Sequence, residues 1–341
     1  LTPYSGLSGE LHPFASLLIT FLIFVTGFIM VNSIAAKIFG RNKFQPQGKH
    51  IYITGGSKGT GKEVAKLLAS KGAHVTIIAR GEKELNEALE EIKNAARNRD
   101  DYESLIFNAI SADISKKDDS IRALNEASEK HSGRAPDVVI CCAGISIPRV
   151  FIEQPIQEFE NTMQINYFGA LYTTHEAVKR MAQQGVKGKI VFVSSVAAFV
   201  GFMGYASYSP SKIALRSLAE CLRHELILYD IGVHCYFPGT IDSLSYQEEM
   251  KTKPKITKEL EGDDLISPEQ AAKALYKGLC KGQFFITSDI IGDAFRAATL
   301  GIVESNNAIV DSFLSGILWT VSKPARWFAD KMVRDHRAEY P

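Results

Sequence analysis

Seven short runs of β-branched and apolar residues recur along the chain: "HIYITGG" (50–56), "HVTIIAR" (74–80), "LIFNAISAD" (105–113), "DVVICCAG" (137–144), "KIVFVSS" (189–195), "GVHCYFPG" (232–239) and "FFITSD" (284–289). Segments with helical spacing, such as "ELNEALEEIKNAARN", lie between them. Strand–helix alternation of this kind has few solutions, and the favoured one is a parallel sheet with helices on both faces. The runs are almost continuously apolar, which fits strands buried on both sides. The expected fold class is α/β, a doubly wound parallel sheet of about seven strands.

The flanks break this rhythm. Residues 14–36, "FASLLITFLIFVTGFIMVNSIAA", carry no charge. A helix of that length can cross a hydrocarbon core of about 30 Å. Glu10 precedes it, and Lys37, Arg41, Lys43 and Lys49 come after it. A basic flank on that side places the remainder of the chain in the cytosol. The reading is an N-terminal transmembrane helix; a cleaved signal or a buried helix is the alternative. "RNKFQPQGK" (41–49) is a polar linker. The last stretch is apolar and rich in Gly and Ala, then basic, with Asp293, Arg296, Glu304 and Asp311 interrupting it. It reads as C-terminal membrane-associated helices, with an oligomer interface or packed helices as alternatives. The expected organisation is therefore an anchor and linker (1–47), a catalytic domain (48–289) and a C-terminal membrane-associated or oligomerisation segment (290–341).

Composition narrows the function. A net charge of +1 gives no reason to expect a nucleic-acid partner. Five cysteines form no Cys-x-x-Cys pair and no His clusters with them, so neither a disulfide framework nor a bound metal is expected. "YQEEMKTKPKITKELEGDD" (246–264) is polar and reads as an irregular surface loop with solvated lysines, or as a flap over the substrate. "ISPEQAAKALYKGL" reads as a capped helix with Ser267 at N-cap, Pro268 at N1 and Gln270 at N3.

"ITGGSKGTGKEVAKLLASKG" joins the first strand to a helix. Gly55, Gly59 and Gly61 let the backbone turn tightly and let a pyrophosphate approach the free N–H groups of the helix N-terminus. Between strand and helix, such a turn signals dinucleotide binding. The second strand ends in Arg80, where a carboxylate would hold a free ribose 2′-OH; a guanidinium pairs instead with a 2′-phosphate. Lys58 adds a second positive charge, and together they favour NADPH over NADH. Asp113, ending the third strand, is either an adenine contact or a turn residue.

Ser195 ends the fifth strand at its carboxyl edge, where open α/β sheets bind ligands. Thirteen residues later stands Tyr208, and Lys212 lies four residues beyond, on the same helix face. Pro210 is tolerable only in a first turn, so the helix begins near Tyr208. An ammonium beside the phenol should lower its pKa from about 10. Ser195 can donate to a substrate carbonyl and Tyr208 can deliver the proton. Tyr205 has serine at its +4 position and Ser194 faces the other way along the strand, so both are weaker candidates. Phe199, Phe202 and Met203 either line an apolar tunnel or belong to the core.

"TGGSKGTG" (54–61), Ala143–Gly144, Asn166 in "NYFG", Ser195, "YSPSK" and "PG" at 238–239 fall in the order and spacing of the short-chain dehydrogenase/reductases, which the chain resembles over residues 48–289. The resemblance implies a Rossmann-like fold. It also implies a cofactor site extended by Ser57, Ile114, Ala143, Gly144, Pro238, Gly239 and Thr240, with Tyr208 and Lys212 at the nicotinamide end. Asn166 would hold a water beside the lysine; the alternative is a polar cap within its helix. "CCAG" departs from the family's Asn-Asn-Ala-Gly, and Glu84 stands where a second basic residue is common. The chain is most similar to a fungal branch whose substrate is a long-chain sphingoid ketone, 3-ketosphinganine. That implies NADPH-dependent reduction at the endoplasmic-reticulum membrane, the catalytic domain facing the cytosol, contact with the lipid bilayer and a homo-oligomer as one option. The alternatives are a membrane-anchored reductase of a steroid, retinoid or fatty-acyl ketone, and a catalytically silent lipid-binding scaffold.

Overall fold

The computed structural model describes residues 44–336 apart from 263, 302 and 304, together with Gly27. The apolar segment 14–36 otherwise lies outside the described residues. All seven expected strands form: β1 (His50–Thr54), β2 (His74–Ala79), β3 (Phe107–Ser111), β4 (Val138–Cys141), β5 (Lys189–Val193), β6 (Gly232–Phe237) and β7 (Phe285–Thr287). They pair in parallel in the order β3-β2-β1-β4-β5-β6-β7. The order reverses between β1 and β4, and a crevice opens at the strands' carboxyl ends at such a switch point.

Eleven α-helices lie among the described residues: α1 (Gly59–Ala69), α2 (Glu82–Ala96), α3 (Lys117–Glu129), α4 (Ile156–Met163), α5 (Gly169–Gln184), α6 (Tyr208–Glu225), α7 (Leu244–Thr252), α8 (Lys255–Glu261), α9 (Pro268–Lys281), α10 (Ile290–Ala298) and α11 (Ala308–Asp335). Side-chain alternation along β1 divides the core between the two sheet faces. Ile51 and Ile53 pack in one cluster with Val64 and Leu68 of α1, Leu85 of α2 and Leu275 of α9. Tyr52 belongs to a second cluster with Leu124 of α3, Met181 of α5 and Leu215 of α6. Phe199 joins that cluster, its ring 4.3 Å from Phe237, so it is core rather than tunnel wall.

Residues 244–261 depart from the expected irregular loop by forming α7 and α8. Ser243 caps α7 by accepting the Tyr246 N–H. The lysines are not all solvated: the Lys253 side chain is wholly buried and paired with Glu261 at 2.7 Å. The expected capping box at Ser267 and Gln270 forms. In the C-terminal stretch the Arg296 guanidinium, 2% exposed, donates twice to Asp311 at 2.9 and 2.6 Å, and Asn306 donates to the Phe285 carbonyl of β7. α11 nevertheless exposes Phe313, Trp319, Trp327 and Phe328. No helix among the described residues is long and apolar enough to cross a membrane.

Candidate active site

A cavity of about 440 Å³ opens at the carboxyl ends of the strands, running from the glycine turn to Tyr208 and Lys212. The turn after β1 brings Gly55 to φ +69°, in the left-handed region. A Cβ there would lie 2.7 Å from the Ala143 α-carbon, so glycine lets the β1 and β4 turns touch. Thr54 Oγ1 accepts the N–H groups of Cys142 and Ala143 and holds the two turns in register. Gly55, Ser57, Lys58, Gly59 and Gly61 line one end of the cavity, with Arg80. Both basic side chains are exposed. Glu84 lines the same end, so the charge there is mixed. Asp113 and Ile114 line the cavity too. The Asp113 Oδ1 accepts from the N–H and hydroxyl of Ser115, which makes it a turn residue as well as a wall residue.

Ala143, Gly144 and Pro238 complete the wall. Gly239 and Thr240 do not reach it. The Gly239 N–H is taken by Ser288 Oγ and the Thr240 carbonyl by the Ile266 N–H, because the chain after β6 bridges to residues 266–288. The lining resumes at Ile241, Ser243, Leu244 and Ser245, and includes Glu249. These residues carry no signal in the sequence, because their stretch has no strand and little amphipathic pattern. Cys142 is also on the wall; burial pushes its thiol up to about 11, so it stays neutral.

The catalytic side chains converge as expected. α6 begins at Tyr208, with Pro210 in its first turn. Lys212, one turn on, is 4% exposed; its Nζ donates to the Val193 carbonyl at 3.0 Å and lies 5.5 Å from the Tyr208 ring centre. Ser195 Oγ accepts the Ala197 N–H, which fixes its rotamer, and its hydroxyl lies close enough to Tyr208 to pair with the phenol. Ser194 donates to the Lys212 carbonyl and is structural. Tyr205 donates to Glu249 Oε2 at 3.2 Å and does not join the trio.

Asn166 is fully buried on a π-turn (Gln164–Phe168) between α4 and α5. Its side chain accepts the Ile145 N–H and donates to the Ile145 carbonyl and Ser211 Oγ. It therefore clamps the loop after β4 to α6. A Cβ on Gly144 would come 3.1 Å from Asn166 Oδ1 and 3.2 Å from Lys212 Nζ, so glycine is what lets this loop close over the lysine.

The electrostatics differ from expectation at one point. Burial, then the charge of Glu249, pushes Tyr208 above its ordinary value, and the Ser195 hydrogen bond only partly offsets this. The expected lowering by lysine is missing because Lys212 is itself buried without a carboxylate partner, and burial lowers it to about 8. A phenol held protonated suits a proton donor.

A glycine cradle that a Cβ would fill at one end, with a Tyr–Lys–Ser group at the other, fits a nicotinamide dinucleotide. When bound, that cofactor supplies the hydride. Ser195 then offers a hydrogen bond to a carbonyl oxygen, Tyr208 gives that oxygen its proton as the alkoxide forms, and Lys212 stabilises the resulting phenolate.

The chain belongs to the short-chain dehydrogenase family, whose model matches residues 49–254, and it is an oxidoreductase. Among its curated relatives, a 3-ketodihydrosphingosine reductase of Cryptococcus neoformans is 40% identical over 96% of this chain and 95% of its own. Another of that name from Aspergillus fumigatus is 38% identical over 86% of each. A 3-dehydrosphinganine reductase of Danio rerio is 32% identical over 84% of this chain and 85% of its own. A short-chain type dehydrogenase/reductase from Mycobacterium ulcerans superposes with a TM-score of 0.62 at 24% identity, covering 72% of this chain and 89% of that one, which bears on the fold alone.

Proposed function

We propose that this protein reduces 3-ketosphinganine to sphinganine, taking the hydride from NADPH. Identity spread over nearly the whole length of reductases of that name carries the reading, together with Tyr208 and Lys212 on the cavity wall and Ser195 beside Tyr208. The silent-scaffold alternative has nothing to rest on, since the trio is complete. Arg80 and Lys58 at the far end support NADPH over NADH, with Glu84 an opposing charge. The site works at the endoplasmic-reticulum membrane, facing the cytosol. The charge-free stretch 14–36 and the exposed aromatic residues of α11 support contact with the bilayer. A homo-oligomer formed through the same C-terminal segment is the other use of that surface.

The test is oxidation of NADPH by the purified protein with 3-ketosphinganine, run beside a steroid ketone and a retinal. Turnover of the sphingoid ketone above the others is expected. Turnover of another substrate with none of the sphingoid ketone would overturn the proposal.

A further inference from the structure

A carboxylate stands on the wall of the cavity that holds the catalytic phenol, and the mechanism does not use it. Glu249 of α7 lines the cavity that Tyr208 lines, its charge is felt at the Tyr208 oxygen, and its side chain is 18% exposed. It is held in place: the Tyr205 hydroxyl donates to Oε2, and the Tyr205 ring lies 5.6 Å from that of Tyr208. Lys253 is its nearest cation at 3.5 Å but sits closer to Glu261, at 2.7 Å, with its ammonium over the rings of Tyr205 and Tyr246. The cluster thus holds two carboxylates and one ammonium. Glu249 is the less well compensated of the two carboxylates, burial raising it above its ordinary value, and it is the one that lines the cavity.

We propose that Glu249 is the residue that recognises the protonated amine of the substrate. This rests on the reading of the substrate as 3-ketosphinganine, whose amino carbon is bonded directly to the carbonyl carbon. When the carbonyl oxygen meets Ser195 and Tyr208, the ammonium is only a few bonds from the phenol, in the cavity that Glu249 also lines. Binding the ammonium completes the charge balance of the Glu249–Lys253–Glu261 cluster, and a charge-assisted contact in a desolvated cavity discriminates strongly against a neutral analogue. Ser146 supports the same use of the wall. It lines the cavity close to Glu249, and its hydroxyl makes no hydrogen bond of full geometry. It remains free to meet the hydroxyl that the substrate carries beyond the amine.

The experiment compares kcat/KM for 3-ketosphinganine and for the same long-chain hydroxyketone without its amino group, at a pH where the amine is charged. Wild-type protein should prefer the amino ketone by roughly tenfold or more, and Glu249→Gln should reduce that preference to near unity, mainly through KM for the amino ketone. Glu249→Asp, which keeps the charge, should restore part of it. A ratio unaltered in Glu249→Gln overturns the proposal. Should that variant fail to fold, the wild-type ratio decides: equal turnover of the two ketones overturns it, and a tenfold preference supports it. Absence of wild-type turnover on either ketone would instead sink the substrate reading.

Discussion

At the scale of single residues, the Ser195–Tyr208–Lys212 group was legible because its spacing obeys local rules: a strand end, a first helical turn, and a step of four along one face. Tyr208→Phe should lower turnover roughly 10²–10⁴-fold, since it removes the proton donor, while leaving nucleotide affinity as in wild type; both can be tracked by NADPH titration and steady-state rates. Lys212 loses its charge as pH rises through about 8. Tyr208 is pushed higher still, so the alkaline limb of kcat/KM should belong to the lysine and fall above about pH 8. Lys212→Arg, unable to titrate there, should remove that limb from the profile even if the rate itself drops. At the far end of the cavity, Arg80→Asp should shift the NADPH/NADH ratio of kcat/KM toward NADH by about tenfold or more, because it replaces a phosphate partner with a repelling carboxylate. An unchanged ratio would remove Arg80 from cofactor choice. Glu249 and Lys253 were not legible in this way. Their meaning is a matter of which charges face each other across the fold, and "EEMKTKPKITKELE" reads as a solvated surface until the burial of Lys253 is known.

At the scale of elements, the strands were plain in the sequence because a parallel sheet covered on both sides demands unbroken apolar runs, and every one of the seven formed close to its expected place. The pair α7–α8 was not, since short helices rich in Lys and Glu carry almost no periodic signal, and a buried cation ties them together. The Lys253 side chain bridges the two, at 3.5 Å from Glu249 on α7 and 2.7 Å from Glu261 on α8. Removing one partner of a buried pair strands the other charge. Lys253→Met should therefore loosen this pair of helices, costing about 3 kcal/mol locally. Hydrogen exchange should rise over 244–261 while β1 and β4 stay protected. Uniform exchange across the sheet would show that the pair holds the whole domain instead. Glu249 should feel the loss most, as burial already raises it above its ordinary value.

At the scale of the whole molecule, the amino-terminal edge of the sheet holds a group unrelated to catalysis. His50 of β1 stacks on His131 with ring centres 3.5 Å apart, and His74 of β2 meets His131 edge-on at 5.7 Å. Arg134 adds a positive charge nearby, while Asp137 is the facing carboxylate, bonded to Arg134, Lys49 and the His50 N–H. Burial first, then the neighbouring cations, lower His50 to about 2 and His131 to about 4. Both rings are thus neutral in the folded protein where an unfolded chain, with histidines near 6.5, already binds protons. Above about pH 6.5 neither state is charged there and the full stability is present. As pH falls below that value the unfolded state gains protons the folded state refuses, and stability drops until the folded values are reached. His50 alone should cost about 2 kcal/mol by pH 5. Thermal melts should therefore fall steeply from about pH 6.5 to 4 with the sheet still intact at neutral pH. His131→Phe keeps a ring against His50 but removes one titrating group, and its melting temperature should depend less on pH over that window. An equal slope in the two proteins would show that carboxylate protonation elsewhere, not this histidine stack, sets the acid limit of the fold.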